Sequence, residues 1–192
     1  MRISTLRLIP ILIALLVLPS CAAFQSLTAL SQVRFALDGV SGVRLAGVQL
    51  DEIQGYEDLT VIQAARIGSA LVNRQLPLEA TLHVGADNPE GNPDARLVEL
   101  DWTLFLRDRE TVSGSLSEEF RLSSGARTDV PVAVRLDLIE FFDGSARDLV
   151  ELALSLGGVE RDPVDVRLQA VPTIQTRLGP IQYPQPLVIG SR

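Results

Sequence analysis

Apolar side chains recur at every second position along much of this chain, and that period admits few folds. Val98, Leu100, Trp102, Leu104 and Leu106 alternate with Glu99, Asp101, Thr103 and Phe105. Successive side chains of a strand point to opposite faces, so the run predicts a strand with one face on a core. Similar runs are Val33, Phe35, Leu37; Leu76, Leu78, Ala80, Leu82, Val84; Leu116, Glu118, Phe120, Leu122; Val132, Val134, Leu136, Leu138; and Val164, Val166, Leu168. With Val43 to Leu50 and a last run near Ile181 to Ile189 they predict about seven or eight strands, the count of an antiparallel β-sandwich in a mainly β protein.

Between the runs lie residues that tolerate tight bends: Asp38-Gly39, Ser41-Gly42, Asn88-Pro89-Glu90-Gly91-Asn92-Pro93, Ser113-Gly114 and Ser123-Ser124-Gly125. Arg109 to Ser113 is a hairpin candidate. Two segments break the period and predict short covering helices. Asp58 to Asn73 has helical spacing and a capping aspartate at its start. Ser145 to Leu156 places Leu149, Leu152, Ala153 and Leu156 on one face, has Asp148 three residues after Ser145, and stops at Gly157-Gly158.

The first twenty residues have the layout of a signal peptide: basic Arg2 and Arg7, apolar Leu8 to Val17, then small Ser20. The apolar run is about half of the roughly 20 residues a bilayer-spanning helix needs. Leu18, Ser20 and Cys21 resemble a bacterial lipobox, with Pro19 at its variable position, and Cys21 is the single cysteine of the chain. The resemblance implies cleavage between Ser20 and Cys21 and acylation of Cys21, whose acyl chains then hold the protein at a membrane. The alternative is an ordinary secretory signal cut near Ala23, which would remove Cys21. On the lipobox reading residues 1–20 are the signal, 21–31 a lipidated tether and 32–192 one domain. Ala22, in place of the aspartate that marks inner-membrane retention, favours the outer membrane of a bacterial envelope with two membranes.

The chain carries 17 basic residues, all arginine, against 24 acidic ones, and removal of residues 1–20 takes away two arginines and no acid. An acidic product of this kind repels phosphate, so nucleic acid is excluded as an expected partner and the acyl chains are left as the membrane attachment. With Cys21 acylated, no thiol remains for a disulfide or a thiolate metal site.

Residues 76–156 resemble the late embryogenesis abundant group 2 family, also called the water stress and hypersensitive response domain. The resemblance rests on Ala80-Thr81-Leu82-His83-Val84 running to Asn88-Pro89, on Leu97 to Leu106, on Arg109-Glu110-Thr111-Val112-Ser113-Gly114, on Val130-Pro131-Val132-Ala133-Val134, and on Asp143 to Leu156. It implies a fibronectin-type-III-like sandwich without a catalytic site, in tolerance of desiccation or related stress. Asn88-Pro89 is its signature turn: Pro89 keeps Asn88 out of the helical region, and Asn88 can bond nearby backbone. The helical segment Asp58 to Asn73 departs from the family pattern.

Catalysis is disfavoured by elimination. His83 is the single histidine and sits between two inward apolar residues, so it is expected on the solvent face. No Gly-x-Ser-x-Gly elbow or phosphate-binding glycine motif occurs. Glu118-Glu119 and Asp137, Glu140, Asp143 read as solvated carboxylates. Asp87, Asn88, Glu90, Asn92 and Asp94 crowd oxygens into one loop, but not at the spacing of a calcium-binding EF-hand. Trp102 falls in the core set. The expectation is therefore a non-enzymatic, lipid-anchored envelope protein without cofactor or metal, the alternative being an envelope binding module for a lipid or other apolar ligand.

Overall fold

A computed structural model describes residues 28–156 and 165–190. Residues 28–32 are helical, and the elements that follow are β1 (Arg34–Leu45), β2 (Val48–Gln49), a 3-10 turn (Tyr56–Asp58), α1 (Val61–Val72), β3 (Pro77–Asp87), β4 (Ala95–Leu106), β5 (Arg109–Leu116), β6 (Phe120–Leu122), β7 (Arg127–Asp137), α2 (Leu138–Phe141), α3 (Ala146–Leu156), β8 (Val166–Thr176), β9 (Gly179–Gln182) and β10 (Leu187–Gly190). All pairings are antiparallel. One sheet has the order β2-β1-β3-β7; the other has β10-β8-β4-β5, with β6 also on β4 and β9 on β8. The antiparallel sandwich is as expected, with ten strands among the described residues because short β2, β6, β9 and β10 count separately.

The alternation does what its period requires. Leu78, Leu82 and Val84 of β3, Val130, Val132 and Val134 of β7, Leu100, Trp102, Leu104 and Leu106 of β4, and Leu168 and Ala170 of β8 are all buried between the sheets. At full burial each valine or leucine among them contributes roughly 1.5–3 kcal/mol. In β4 the phase differs at one end from the sequence reading: Leu97 is buried while Val98 is half-buried. The pairing of β4 with β8 slips between Leu97 and Glu99, and one extra residue exchanges the two faces.

Several expected turns are used differently. Asp38-Gly39 and Ser41-Gly42 do not separate two strands; the register of β1 against β3 shifts at both places, so they are irregularities within one long strand. The chain reverses after β1 at Ala46 and Gly47, both at positive φ. The β4–β5 hairpin turns at Arg107 and Asp108, also at positive φ, and Arg109 to Ser113 belongs to β5. A two-residue hairpin with both central residues at positive φ usually carries Asn-Gly or Asp-Gly, which is why Arg107-Asp108 gave no turn signal. Gly114 is a strand residue opposite Trp102: a Cβ there would lie 2.5 Å from Cζ2 of the indole, so the missing side chain is what lets the ring lie across β5.

Thr60, not Asp58, caps α1. Its hydroxyl accepts from Gln63 N and the Gln63 side chain bonds Thr60 N, while Asp58 accepts from Gln54 N. The start of α3 is as read: Ser145 N donates to Asp148 Oδ2 at 2.8 Å, and Asp148 N donates to Ser145 Oγ at 3.3 Å. Leu149, Val150, Leu152, Ala153, Leu154 and Leu156 are buried, and α3 packs against β1 and the 3-10 turn. Asp137 ends β7: its Oδ1 accepts from Ile139 N and Leu76 N, which puts Leu138 in α2, not in the strand. Gly157-Gly158 and Val164 lie outside the described residues, as do Ser20, Cys21 and the whole signal segment.

The void between the sheets, lined by Val40, Leu78, Leu104, Val134 and Leu156 among others, measures about 10 Å³. That is near the minimum for one water, so a lipid chain has no room there.

Candidate functional site

Two places collect polar chemistry, and the first is the loop between β3 and β4. Asn88 is fully buried. Its N–H donates to Ala126 O at 3.0 Å, and its Nδ2 donates to Leu122 O at 2.9 Å and Pro93 O at 3.2 Å. Its Oδ1 accepts from Asn92 Nδ2 at 2.5 Å, and Asn92 Nδ2 also donates to Ala29 O at 2.8 Å. One buried amide thus joins the end of β3, the end of β6 and the turn before β7. Through Asn92 it reaches the helical residues 28–32, where Ala29 and Leu30 are buried. The fold therefore extends back into the segment expected to be tether. Asn92 Oδ1 is the buried side-chain acceptor left without a donor among the described residues.

In this geometry Asn88 is buried and fastens three segments through its amide. The two aspartates of the loop are committed to protein partners. Asp87 pairs with Arg34 at 3.3 Å; Asp94 pairs with Arg121 at 2.7 Å and accepts from Ser124 N at 2.9 Å. The Ser124 N–H first, and Arg121 second, hold the Asp94 carboxyl below its usual range. Among the described residues no group of three or more His, Cys, Asp or Glu is placed to hold a metal ion.

The second place is the solvent face of β1, β3 and β7, where side chains bridge all three strands. Asp129 Oδ2 lies 2.8 Å from His83 Nδ1, and Ser41 Oγ lies 2.7 Å from His83 Nε2. A carboxylate can only accept, so Nδ1 carries a proton, and in the neutral ring Nε2 accepts from the Ser41 hydroxyl. The atom order is that of a nucleophile, base and orienting acid. Ser41 and Asp129 are exposed on an open sheet, where water competes for each bond and a developing charge gains least from fixed dipoles. The neighbouring bridges are plainly structural. Arg127 pairs with Asp38 across β3 directly over Gly85, where any Cβ would collide with both side chains, and Arg135 pairs with Glu79 at 3.2 Å. Exposed pairs of this type contribute about 0–1 kcal/mol each. The array reads as one rung of a polar ladder.

Sequence reading placed His83 on the solvent face and missed its partners. Ser41 lies 42 positions from His83 and Asp129 lies 46, and only the pairing of β1, β3 and β7 brings them together. Of the carboxylates named from sequence, Asp137 and Glu140 line one open groove, where Asp137 also caps α2, while Glu119 pairs with Arg96 at 3.3 Å. Two open grooves lie at the far end of β3 from Asn88. One, about 430 Å³, is lined by Gln75, Val112, Arg135, Asp137, Glu140 and Phe141 among others; the other, about 560 Å³, by Ala46, Ile62, Arg66, Ser69, Asn73 and Gln75 among others.

No protein-family model matches the chain, and no curated protein matches it. Solved structures with a similar arrangement include a protein from Archaeoglobus fulgidus at 12% identity, covering 81% of this chain and 94% of that one with a TM-score of 0.37. An Arabidopsis thaliana protein is 23% identical over 62% of this chain and 71% of its own, TM-score 0.40. A protein described as a candidate late embryogenesis abundant protein is 14% identical over 92% of this chain and 83% of its own, TM-score 0.35. No residue role passes from any of them to this chain.

Three outcomes follow from this geometry. Asn88→Ala strands buried partners and should cost about 3 kcal/mol in urea unfolding; Asn88→Asp, equal in shape but without the donors, should cost at least as much. The folded pKa of Asp94 is depressed, so its bonds stabilise above the ordinary value of 3.8 and are lost as pH falls through the lower folded value. Asp94→Asn should therefore flatten the fall in melting temperature on the acid side of pH 3.8. Ester hydrolysis assayed with p-nitrophenyl acetate should be the same for the wild-type chain, Ser41→Ala and His83→Ala; activity lost in both variants would make the array a catalytic site.

Proposed function

We propose that the chain is a non-enzymatic lipoprotein of the bacterial cell envelope, held by acyl chains on Cys21, with a late embryogenesis abundant group 2-type sandwich that serves in tolerance of desiccation or related stress. The observation that carries the reading is how the N-terminal end of the fold is fastened. Ala29 and Leu30 are buried, and Ala29 O is bonded to the Asn88–Asn92 pair, eight residues after Cys21. Eight residues reach at most about 28 Å, so an acyl anchor at Cys21 would hold the sandwich close to its membrane with the Asn88 end toward it.

The residues that resemble group 2 support the second half of the reading. Asn88 of the Asn-Pro pair is the buried hub, Pro131 faces solvent opposite His83 on the outer face of β7 while Val130 and Val132 enter the core, and Asp143 to Leu156 contains α3. Each of these residues has a structural task in the sandwich, which supports a non-enzymatic reading. Ala22 favours the periplasmic face of an outer membrane. The void of about 10 Å³ beside Leu78 and Leu104 is too small for a lipid chain, and the alternative reading, an envelope module for a lipid or other apolar ligand, is supported at the surface by the two open grooves.

Metabolic labelling with palmitate and mass measurement of the N-terminal peptide test the anchor. The expected result is a mature N-terminus at Cys21 carrying acyl mass, with labelling abolished by Cys21→Ala. A mature chain beginning beyond Cys21, or one without acyl mass, overturns the anchor. Survival of a deletion strain after drying, if equal to the parent's, overturns the stress role.

A further inference from the structure

The helix α1 displays an apolar face to solvent. At 100° per residue, Val61, Val72, Ala65, Ser69, Ile62 and Arg66 fall on one continuous arc of about 140°. Val61 is 87% exposed, Ile62 76% and Val72 84%, whereas Ile67 on the opposite side is buried. A surface helix normally turns its charged side outward, and here that side is aliphatic.

The charge on this stretch is equally out of character. From Val61 to Leu78 there is no acidic residue in a chain of net charge −7, and the charges present are Arg66 and Arg74. Both are exposed and neither has an ion-pair partner among the described residues, a state they share with Arg44, Arg107, Arg109 and Arg177, whereas Arg34, Arg96, Arg121, Arg127, Arg135, Arg147 and Arg167 are paired with aspartate or glutamate. Beside the arc lies the 560 Å³ groove, where Arg66, Ser69, Asn73 and Gln75 line one wall with donors. The nearest acid on β3, Glu79, is taken by Arg135.

We propose that α1 docks on an anionic phospholipid surface, with Val61, Ile62 and Val72 entering the acyl boundary and Arg66 and Arg74 meeting phosphates. An amphipathic helix lies in the interface in this way, apolar side down and cations at the headgroup level. A second copy fits less well, because a two-fold pairing of α1 on α1 would set one Arg66 against the other. The site is at the end of β3 remote from Asn88: Ala46 N bonds Pro77 O there, and the eleven residues of β3 separate the two ends by about 33 Å. The docking does not depend on the acylation of Cys21, and it is tested without it.

Residues 21–192 with Cys21→Ser contain every described element and carry no acyl chain. Their flotation with vesicles of phosphatidylethanolamine and one quarter phosphatidylglycerol is compared with flotation on phosphatidylcholine alone. The expected result is binding to the anionic vesicles, weakened by salt, reduced about five-fold by Arg66→Gln and again by Arg74→Gln. Ile62→Asp with Val72→Asp, both at exposed positions, should abolish binding with an unchanged thermal melt. No binding to anionic vesicles, or binding indifferent to the aspartate pair, overturns the proposal. So does a concentration-dependent dimer in sedimentation that Ile62→Asp dissolves while vesicles bind nothing, which would assign the face to a second copy.

Discussion

Burial of β3 against β4 is the contact on which the rest of the structure depends. Each is the inner strand of its sheet, β3 between β1 and β7 and β4 between β8 and β5, and each sends an apolar residue inward at nearly every second position. With those faces interlocked to a residual void of about 10 Å³, the other strands have little freedom in register, because a slip of one residue would exchange core and solvent faces. The outer surface carries a polar ladder on one sheet and grooves at one end.

Backbone polar groups at the ends of a sandwich need partners that the sheets do not supply, and the two ends solve this differently. At one end buried Asn88 bonds carbonyls from two other segments and, through Asn92, fastens residues 28–32. At the other end Asp137 accepts from two backbone N–H groups, and α1, opened by its capping box at Thr60, packs against β2 and α3. The Asn88 end is thus tied to the N-terminal segment that would carry an anchor. The α1 end, with its aliphatic arc and unpaired arginines, is turned to whatever lies beyond.

Element types were readable because they depend on local spacing: the runs ending in Leu82, Leu104, Val134 and Leu168 are strands, and Ser145 with Asp148 opens a helix. Turn positions were less readable where a conflict was settled at a distance. Asp38-Gly39 and Ser41-Gly42 have turn composition, yet β1 continues through them because pairing with β3 on both sides outweighs the local preference. Arg107-Asp108 has none of the usual composition and turns nonetheless, because β4 and β5 pair up to its edges.

By itself the sequence determined the sandwich, most of its core residues, the cap of α3 and the outward placement of His83. The physical reason is that period and capping act within a few residues. Tertiary structure alone decided that Asn88 is a fully buried hub, that Ser41 and Asp129 flank His83, that Gly85 makes room for Arg127 and Asp38, and that the aliphatic side of α1 faces outward. Those are contacts between segments tens of residues apart, fixed by strand order and register, and no local pattern in the chain encodes which strand will lie beside which.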